Sequence, residues 1–420
     1  MTSATLIKTE APPLARHRRV PFWAWPLVLA AAIIVLSLIR IVTGEDDISS
    51  SGTLSAALAW AMPLALAGLG GLWSERAGVI NIGLEGMMIL GTWGAAFGAI
   101  HGGPWMGVVG AMVCGALGGV VHALATVTFG VDHIVSGVAL NIVALGVASY
   151  LASRFFGTIE GGSDVQSPPL PALPKVGLPW ISQPLATVES QDWFFVSELA
   201  AVLRAATTGL SILTVIGLLL IAGTWWVLWR TTFGLRVRSC GESPTAAETL
   251  GINVYLYKYI AVTFSGALAG LGGGFLAMVA SDAYREDQTG GRGYIGLAAM
   301  IFGNWRPGGV LMGSGLFGYM DALQLRGGGA ALHALLVLIA LILVGIGLWQ
   351  ILRRQRYVQG TLAVVAGIVV VALWSLTDVI PGELTRFAPH LTTLLVLAFA
   401  SQRLRMPAAN GKVYRRGEGN

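Results

Sequence analysis

Charge is scarce in this 420-residue chain. Asp, Glu, Lys and Arg make up 11% of it, against roughly 25% in a soluble domain, so the chain lacks the means to cover itself with a hydrated surface. Cysteine is scarcer. Cys114 stands in an apolar run and Cys240 in a basic segment, a pattern that does not suggest a disulfide framework. The common catalytic signatures are missing too. There is no G-x-x-x-x-G-K-[ST] phosphate loop, no H-E-x-x-H and no G-x-S-x-G elbow, so the chain is not expected to hydrolyse ATP or to be an enzyme of those classes. His101, His122, His133, His333 and His390 stand singly among apolar runs and read as packed or interfacial imidazoles rather than metal ligands. Short alternating segments of the kind that build a membrane β-barrel are also lacking.

Apolar sequence is what the chain has in quantity: 55% of its residues, for a mean hydropathy of +0.72. Runs of about 20 apolar residues recur, each enough to cross a hydrocarbon core of roughly 30 Å. The expected fold is an all-α polytopic membrane protein of about 10–12 transmembrane elements. Spans read near 21–43, 54–73, 79–100, 105–129, 133–155, 207–229, 257–280, 308–325, 331–352, 360–380 and 386–402. The apolar piece Tyr294–Gly303 is half a span long, since ten helical residues rise only about 15 Å. The first run, Val20–Val42, exceeds a signal-peptide core and no A-x-A-like site follows it, so it reads as an uncleaved span. One membrane domain (21–402) is expected between tails at 1–20 and 403–420.

Alternating these spans from an internal N-terminus puts 18 of the 26 Lys and Arg residues on the cytoplasmic side. The positive-inside rule then expects both termini in the cytoplasm, and the net charge of +5 needs no nucleic acid to explain it. The long segment 156–206 becomes external. Its later part, "DWFFVSELAAVLRAA", spaces Phe195, Leu199, Val202 and Leu203 as an amphipathic helix would. It fits either an interfacial helix or a loop helix packed on the bundle.

The word "ALAGLGG" occurs at Ala65–Gly71 and again at Ala267–Gly273. After a polar interruption "IGLEGMMI" (Ile82–Ile89) follows the first copy and "IGLAAMI" (Ile295–Ile301) the second. A Trp/Pro/Gly turn closes each, "GGPW" at Gly102–Trp105 and "NWRPGG" at Asn304–Gly309. By the span count the copies run in opposite directions, an inverted repeat of the kind that transporters use, with discontinuous helices near the route. The halves read as about 54–155 and 257–352. Gly266, Gly270 and Gly274 leave one helix face bare, which lets backbones approach closely.

Two polar segments break the apolar pattern. "SERAGVINIGLEGMM", Ser74–Met88, carries Glu75, Arg76, Asn81 and Glu85. If helix resumes near Val79, Asn81 and Glu85 share a face that Met88 and Thr92 continue. A carboxylate at membrane depth is costly unless it meets the bundle interior, water or a partner. Glu85 therefore fits two roles: accepting hydrogen bonds from the hydroxyl or amino groups of a passing solute, or holding the end of a discontinuous helix by its backbone amides. Asn141, mid-span, fits a place on the pathway or an interhelical hydrogen bond. Glu75 and Arg76 read as a local solvated pair. The second segment, "RTTFGLRVRSCGESPTAAETLGINVYLYKY" (Arg230–Tyr259), is the polar connector 230–256. Ser243 suits a helix cap, Pro244 its first turn and Gly251 its end, giving a short helix Pro244–Leu250. That is more structure than a bare connector needs and suggests a knob gripped by a cytoplasmic partner.

"SERAGVINIGLEGMM", "VSGVALNIVALGVASYL" (Val135–Leu151) and "FGLRVRSCGESPTAAETLGINV" (Phe233–Val254) resemble the membrane permeases of bacterial ABC importers. The branch is that of nucleoside and simple-sugar permeases, related to the ribose and branched-chain amino acid permeases. Within it the motifs are most similar to the second permease of nucleoside importers that work with a basic-membrane-protein-type lipoprotein. The resemblance covers about residues 54–350. It implies a transport subunit of the bacterial plasma membrane, with no cofactor in this chain, that pairs with a paralogous permease. A separate cytoplasmic ATPase would bind ATP and Mg, and an external lipoprotein would deliver the nucleoside. Gly241, Glu242, Ser243, Pro244, Ala246, Ala247, Glu248 and Gly251 would match the coupling helix that docks on the ATPase. The other readings are the same machinery carrying a simple sugar, or a secondary transporter; the coupling-like connector argues against the latter.

Overall fold

The computed structural model describes residues 24–385, 387 and 404–417. The expected span 386–402 and the N-terminal tail 1–20 lie outside these but for Phe387. The described chain is almost entirely helical. In order come α1 (Ala24–Thr43), α2 (Ser51–Arg76), α3 (Leu84–Gly102), α4 (Pro104–Ala123), α5 (His133–Phe155), α6 (Pro179–Glu189), α7 (Val196–Thr207) and α8 (Ile212–Arg230). Then come α9 (Thr232–Glu242), α10 (Pro244–Thr249), α11 (Val254–Phe275), α12 (Arg292–Phe302), α13 (Pro307–Arg326), α14 (Gly328–Arg354), α15 (Tyr357–Leu376) and α16 (Gly382–Thr385). Helices α4 and α11 each run on into a π-turn, Leu124–Thr128 and Leu276–Ala280. Two-residue strands, Lys175–Val176 and Leu210–Ser211, pair antiparallel.

Helix starts follow local chemistry. The Ser50 hydroxyl accepts the Thr53 N–H, Asp132 accepts from Ile134 and Val135, and Asn253 accepts from Leu256, each satisfying amides that a first turn leaves free. Pro104, Pro244 and Pro307 occupy first-turn positions, where a missing N–H costs nothing. Seven helical segments among the described residues are long and apolar enough to cross a membrane, and the chain is a multi-pass membrane protein. Helix α12, with 11 residues, rises about 16 Å and reaches only half-way.

The core is built on α2 and α11, which pack against each other. Helix α2 carries α12 and α13 on its flanks; α11 carries α3 and α4. The two copies of "ALAGLGG" are the buried centres of these two helices. The bare glycine face does what its spacing predicts. A Cβ on Gly266 would lie 2.3 Å from the Gly115 carbonyl oxygen, and one on Gly270 the same distance from that of Ala111, so α11 and α4 meet backbone to backbone. Large apolar side chains face outward elsewhere, as on α5 (Ile142, Val143, Tyr150) and along α15, as lipid-facing surfaces do.

Helix α7 is packed on the bundle. Its buried face is Ser197, Glu198, Ala200, Ala201 and Ala205, not the stripe through Leu203, which is exposed. Small residues let it close on α2 and α1, and Glu198 is drawn inward by Arg40 of α1, at 2.7 Å. The connector 230–256 holds two helices where one was expected, since α9 precedes α10, and α10 ends at Thr249 rather than Leu250.

Candidate functional site

The 26 residues of α2 span about 39 Å. At its first residue the Ser51 N–H meets the Glu189 carboxylate of α6; at its far end Gly78 meets Gly241 of α9. The molecule thus has an α6–α7 end and an α9–α10 end, and two helix interruptions lie between or near them.

The first interruption is 77–83. Helix resumes at Leu84, not near Val79, so Asn81 lies in irregular chain and does not share a helical face with Glu85. The physical cause is Gly78, at φ +85°, and the Ser74 hydroxyl, which donates to the Val79 carbonyl at 2.6 Å and ends α2. Irregular backbone at membrane depth survives only where protein satisfies it, and here neighbouring side chains do so. His133 Nδ1 accepts the Ile80 N–H (3.2 Å) and His122 Nε2 meets the Ile80 carbonyl (3.0 Å). These partners fix the neutral tautomers: His122 carries its proton on Nε2 and His133 leaves Nδ1 bare. Asn141 Nδ2 donates to the Ile82 carbonyl at 3.1 Å, and Asn81 Nδ2 to the Ser265 hydroxyl of α11 at 2.9 Å.

The second interruption is 281–291, between the π-turn after α11 and the half-helix α12. Asp282, Asp287, Gly290 and Gly291 all take positive φ. Segment 165–170 runs alongside it. Ser167 N–H donates to the Tyr284 carbonyl, the Tyr284 N–H returns to the Ser167 hydroxyl, and Leu170 and Glu286 add bonds across the pair. The start of α12 is held from elsewhere. Glu85 Oε1 accepts the Gly291 N–H at 2.9 Å and Oε2 accepts the Gly293 N–H at 2.6 Å. The carboxylate lies in the first turn of α3 and against the first turn of α12, at the positive end of both helix dipoles.

Asn141 closes the circuit. Its Oδ1 accepts the Gly86 N–H at 2.7 Å, capping α3, while Nδ2 also donates to the Tyr294 hydroxyl of α12 at 2.8 Å. Each helix that follows an interruption therefore begins on a polar side chain from another element: α3 on Asn141, α12 on Glu85. Of the residues expected on the pathway, Asn81, Glu85 and Asn141 belong to this buried polar junction. Met88 and Thr92 are buried against α11 instead, with the Met88 carbonyl oxygen 2.1 Å from where a Gly273 Cβ would stand. His122, His133, Ser265 and Tyr294 went unrecognised from sequence because they reach the interruptions from distant helices.

At the α9–α10 end, Glu75 and Arg76 are not a solvated pair. The Glu75 carboxylate is buried, and its Oε2 accepts from Trp305 Nε1 (2.6 Å) and Asn410 Nδ2 (2.8 Å). Arg76 turns away to donate to the Trp305 carbonyl at 2.6 Å and stacks over Trp229. The bonds of Glu75 and Arg76 to Trp305 both need a turn about 230 residues downstream, which is why a local reading failed. Gly241 presses on the Arg76 carbonyl. Ser243 stands at the start of α10 without a capping bond, Pro244 fills its first turn, and Gly251 follows at φ +78°. Ala247 is buried; Glu242, Ala246 and Gly251 face out. Leu250 is 80% exposed, beside a groove of about 610 Å³ between α9 and α11. Burial pushes the Cys240 thiol up to about 11, so it stays protonated and inert.

Residues 53–346 match the family described as branched-chain amino acid transport system / permease component. The guanosine ABC transporter permease protein NupQ of Bacillus subtilis is 37% identical over 65% of this chain and 81% of its own length. The nucleoside ABC transporter permease protein NupC of Lactococcus lactis is 36% identical over 64% and 81%. The putative glucose ABC transporter permease protein TsgC13 of Haloferax volcanii is 35% identical over 66% and 78%. The first two organisms each hold a second, more distant relative, NupP at 24% and NupB at 22% identity. No solved structure matches the chain. The match spans most of the chain, including α2 to α13 with both interruptions and α10, and the chain belongs to this family of transport permeases.

Proposed function

We propose that this chain is one of two different permease subunits of an ATP-driven importer, and that its cargo is a nucleoside. The observation that carries the cargo is the kinship with two permeases named for guanosine and nucleosides over four fifths of their length. The existence of a second relative in each of those organisms supports a paralogous partner. A separate ATPase, loaded with ATP and Mg, would grip α10 and the exposed Leu250, and an external lipoprotein would deliver the nucleoside at the α6–α7 end. Orientation follows from charge. Arg76, Arg230, Arg236, Arg238, Arg306 and Lys412 gather around the α9–α10 end, which supports a cytoplasmic place for it under the positive-inside rule.

The route is inferred to open at the junction of Glu85, Asn141 and Asn81. This is where helix starts from both repeats meet, and their polar groups suit ribose hydroxyls and base amides. Met88 and Thr92 would join the route once Gly273 of α11 withdraws from α3. The test is uptake by the complete complex in proteoliposomes. ATP-dependent accumulation of labelled guanosine, competed by other nucleosides and not by glucose, is the expected result. Because a glucose permease homologue is nearly as similar, competition by glucose alone would move the cargo to a sugar. Uptake that follows an ion gradient without ATP would make the chain a secondary transporter.

A further inference from the structure

The C-terminal segment Leu404–Gly417 is a strap laid across the α9–α10 end. Ala409 N–H donates to the Gly241 carbonyl at 2.8 Å and Gly411 N–H to that of Gly78 at 3.3 Å. Arg405 N–H reaches Asn304 Oδ1 at 2.8 Å, and Ala408 N–H reaches the Glu242 carboxylate at 3.2 Å. Asn410 is buried and shares Glu75 Oε2 with Trp305. Further on, the Tyr414 ring packs against Tyr255 and under the Lys258 ammonium, and Arg416 pairs with Glu248 of α10 at 3.3 Å. The strap thus touches the end of α2, the turn after α12 and the helix assigned to ATPase docking. It lies beyond residue 346, where the family match ends.

Its outer face continues that of α10. The strap exposes Arg405, Lys412 and Arg416, and a cavity of about 180 Å³ opens on the seam where Pro244 and Thr245 meet Lys412 and Val413. The groove beside the exposed Leu250 carries Arg236 on its wall. Such a surface fits a partner groove with an apolar pocket and acidic edges.

We propose that Leu404–Gly417 forms, with α10, a single composite docking surface for the ATPase, and that Asn410 ties this surface to the end of α2. The inference rests on the importer reading above, and the following experiment separates the two. The tagged chain is co-expressed with its partner permease and ATPase, and ATPase retention is measured after purification. Leu250→Asp tests the importer reading; Lys412→Glu combined with Arg416→Glu tests the strap. Both are exposed substitutions. Labelling of Cys240, in a Cys114→Ser background, reports whether the strap still covers the buried thiol. The expected result is at least tenfold loss of ATPase with either variant. Full retention with the charge reversals and loss with Leu250→Asp overturns the strap proposal and leaves the importer reading standing. Retention with both overturns both. Asn410→Ala is expected to keep the ATPase bound and Cys240 covered, and to cut uptake at least tenfold. Unchanged uptake with Asn410→Ala removes the tie to α2.

Discussion

The two interruptions solve one problem in opposite ways. The first, 77–83, spreads its unpaired backbone over several partners: His122, His133, Asn141 and the strap each take one group. The second, 281–291, concentrates the start of its half-helix on one carboxylate, Glu85. Distribution makes the first tolerant of single losses. Concentration makes the second a switchable contact, because a competitor for one side chain would release both amides together. Helix α12 is therefore the half-helix expected to move.

Mutations can break or sharpen this contrast. Glu85→Ala should have the largest effect. It orphans two buried amides bound to a charged acceptor, about 1.5–3 kcal/mol each, and should abolish uptake and lower the melting temperature of the detergent-solubilised protein by several degrees. Glu85→Gln keeps one acceptor but turns an NH₂ toward the other amide, so it should lie between wild type and alanine. Asn141→Ala comes next. It uncaps α3 and frees Ile82 and Tyr294, for roughly 2–4 kcal/mol, and hydrogen exchange should rise at both Gly86 and Gly293. His133→Ala leaves the single Ile80 N–H unpaired, about 1–3 kcal/mol. A destabilisation as large as that of Glu85→Ala would end the distinction between distributed and concentrated breaks. Tyr294→Phe removes one neutral hydroxyl and should cost about 0.5–1.5 kcal/mol, with uptake changed less than twofold to threefold.

The smallest effect concerns the strap. The Tyr414 hydroxyl, then the Gly417 backbone N–H and Arg416, hold the Glu248 carboxyl below its ordinary 4.5. The folded state thus binds that proton less readily than the unfolded one. The contact contributes fully above about pH 4.5 and is lost as pH falls through the lower folded value. The NMR shifts of the Tyr414 ring, followed down a pH series, should change only below pH 4.5.

Much of the architecture was legible in the chain itself. Span lengths, the repeated glycine words and the half-length piece all report on local backbone geometry, and they matched α2, α11 and α12. Glu85 and Asn141 stood out because charge and amide are costly in apolar sequence. What they bond could not be read, since Glu85 meets amides 206 and 208 residues away and glycine N–H groups carry no side-chain signature. The helix start at Leu84 differs for a related reason: Val79–Gly83 reads as able to be helical, but Gly78 and Ser74 end α2 before it, and His122 and His133 from other helices satisfy the irregular backbone that results. Asn410 was invisible because its role depends on a tail returning to α2.

The bond from Glu85 to Gly291 and Gly293 crosses from one repeat unit to the other, and nothing crosses back in the same form, since Ala298 stands where the repeat would put a second acid. The duplication has thus lost its interchangeability. Two copies of the first half would present two carboxylates and no helix start to receive them; two copies of the second would leave both starts bare. Split into separate polypeptides anywhere between α5 and α11, the halves should reassemble only with each other, and never as a pair of like halves.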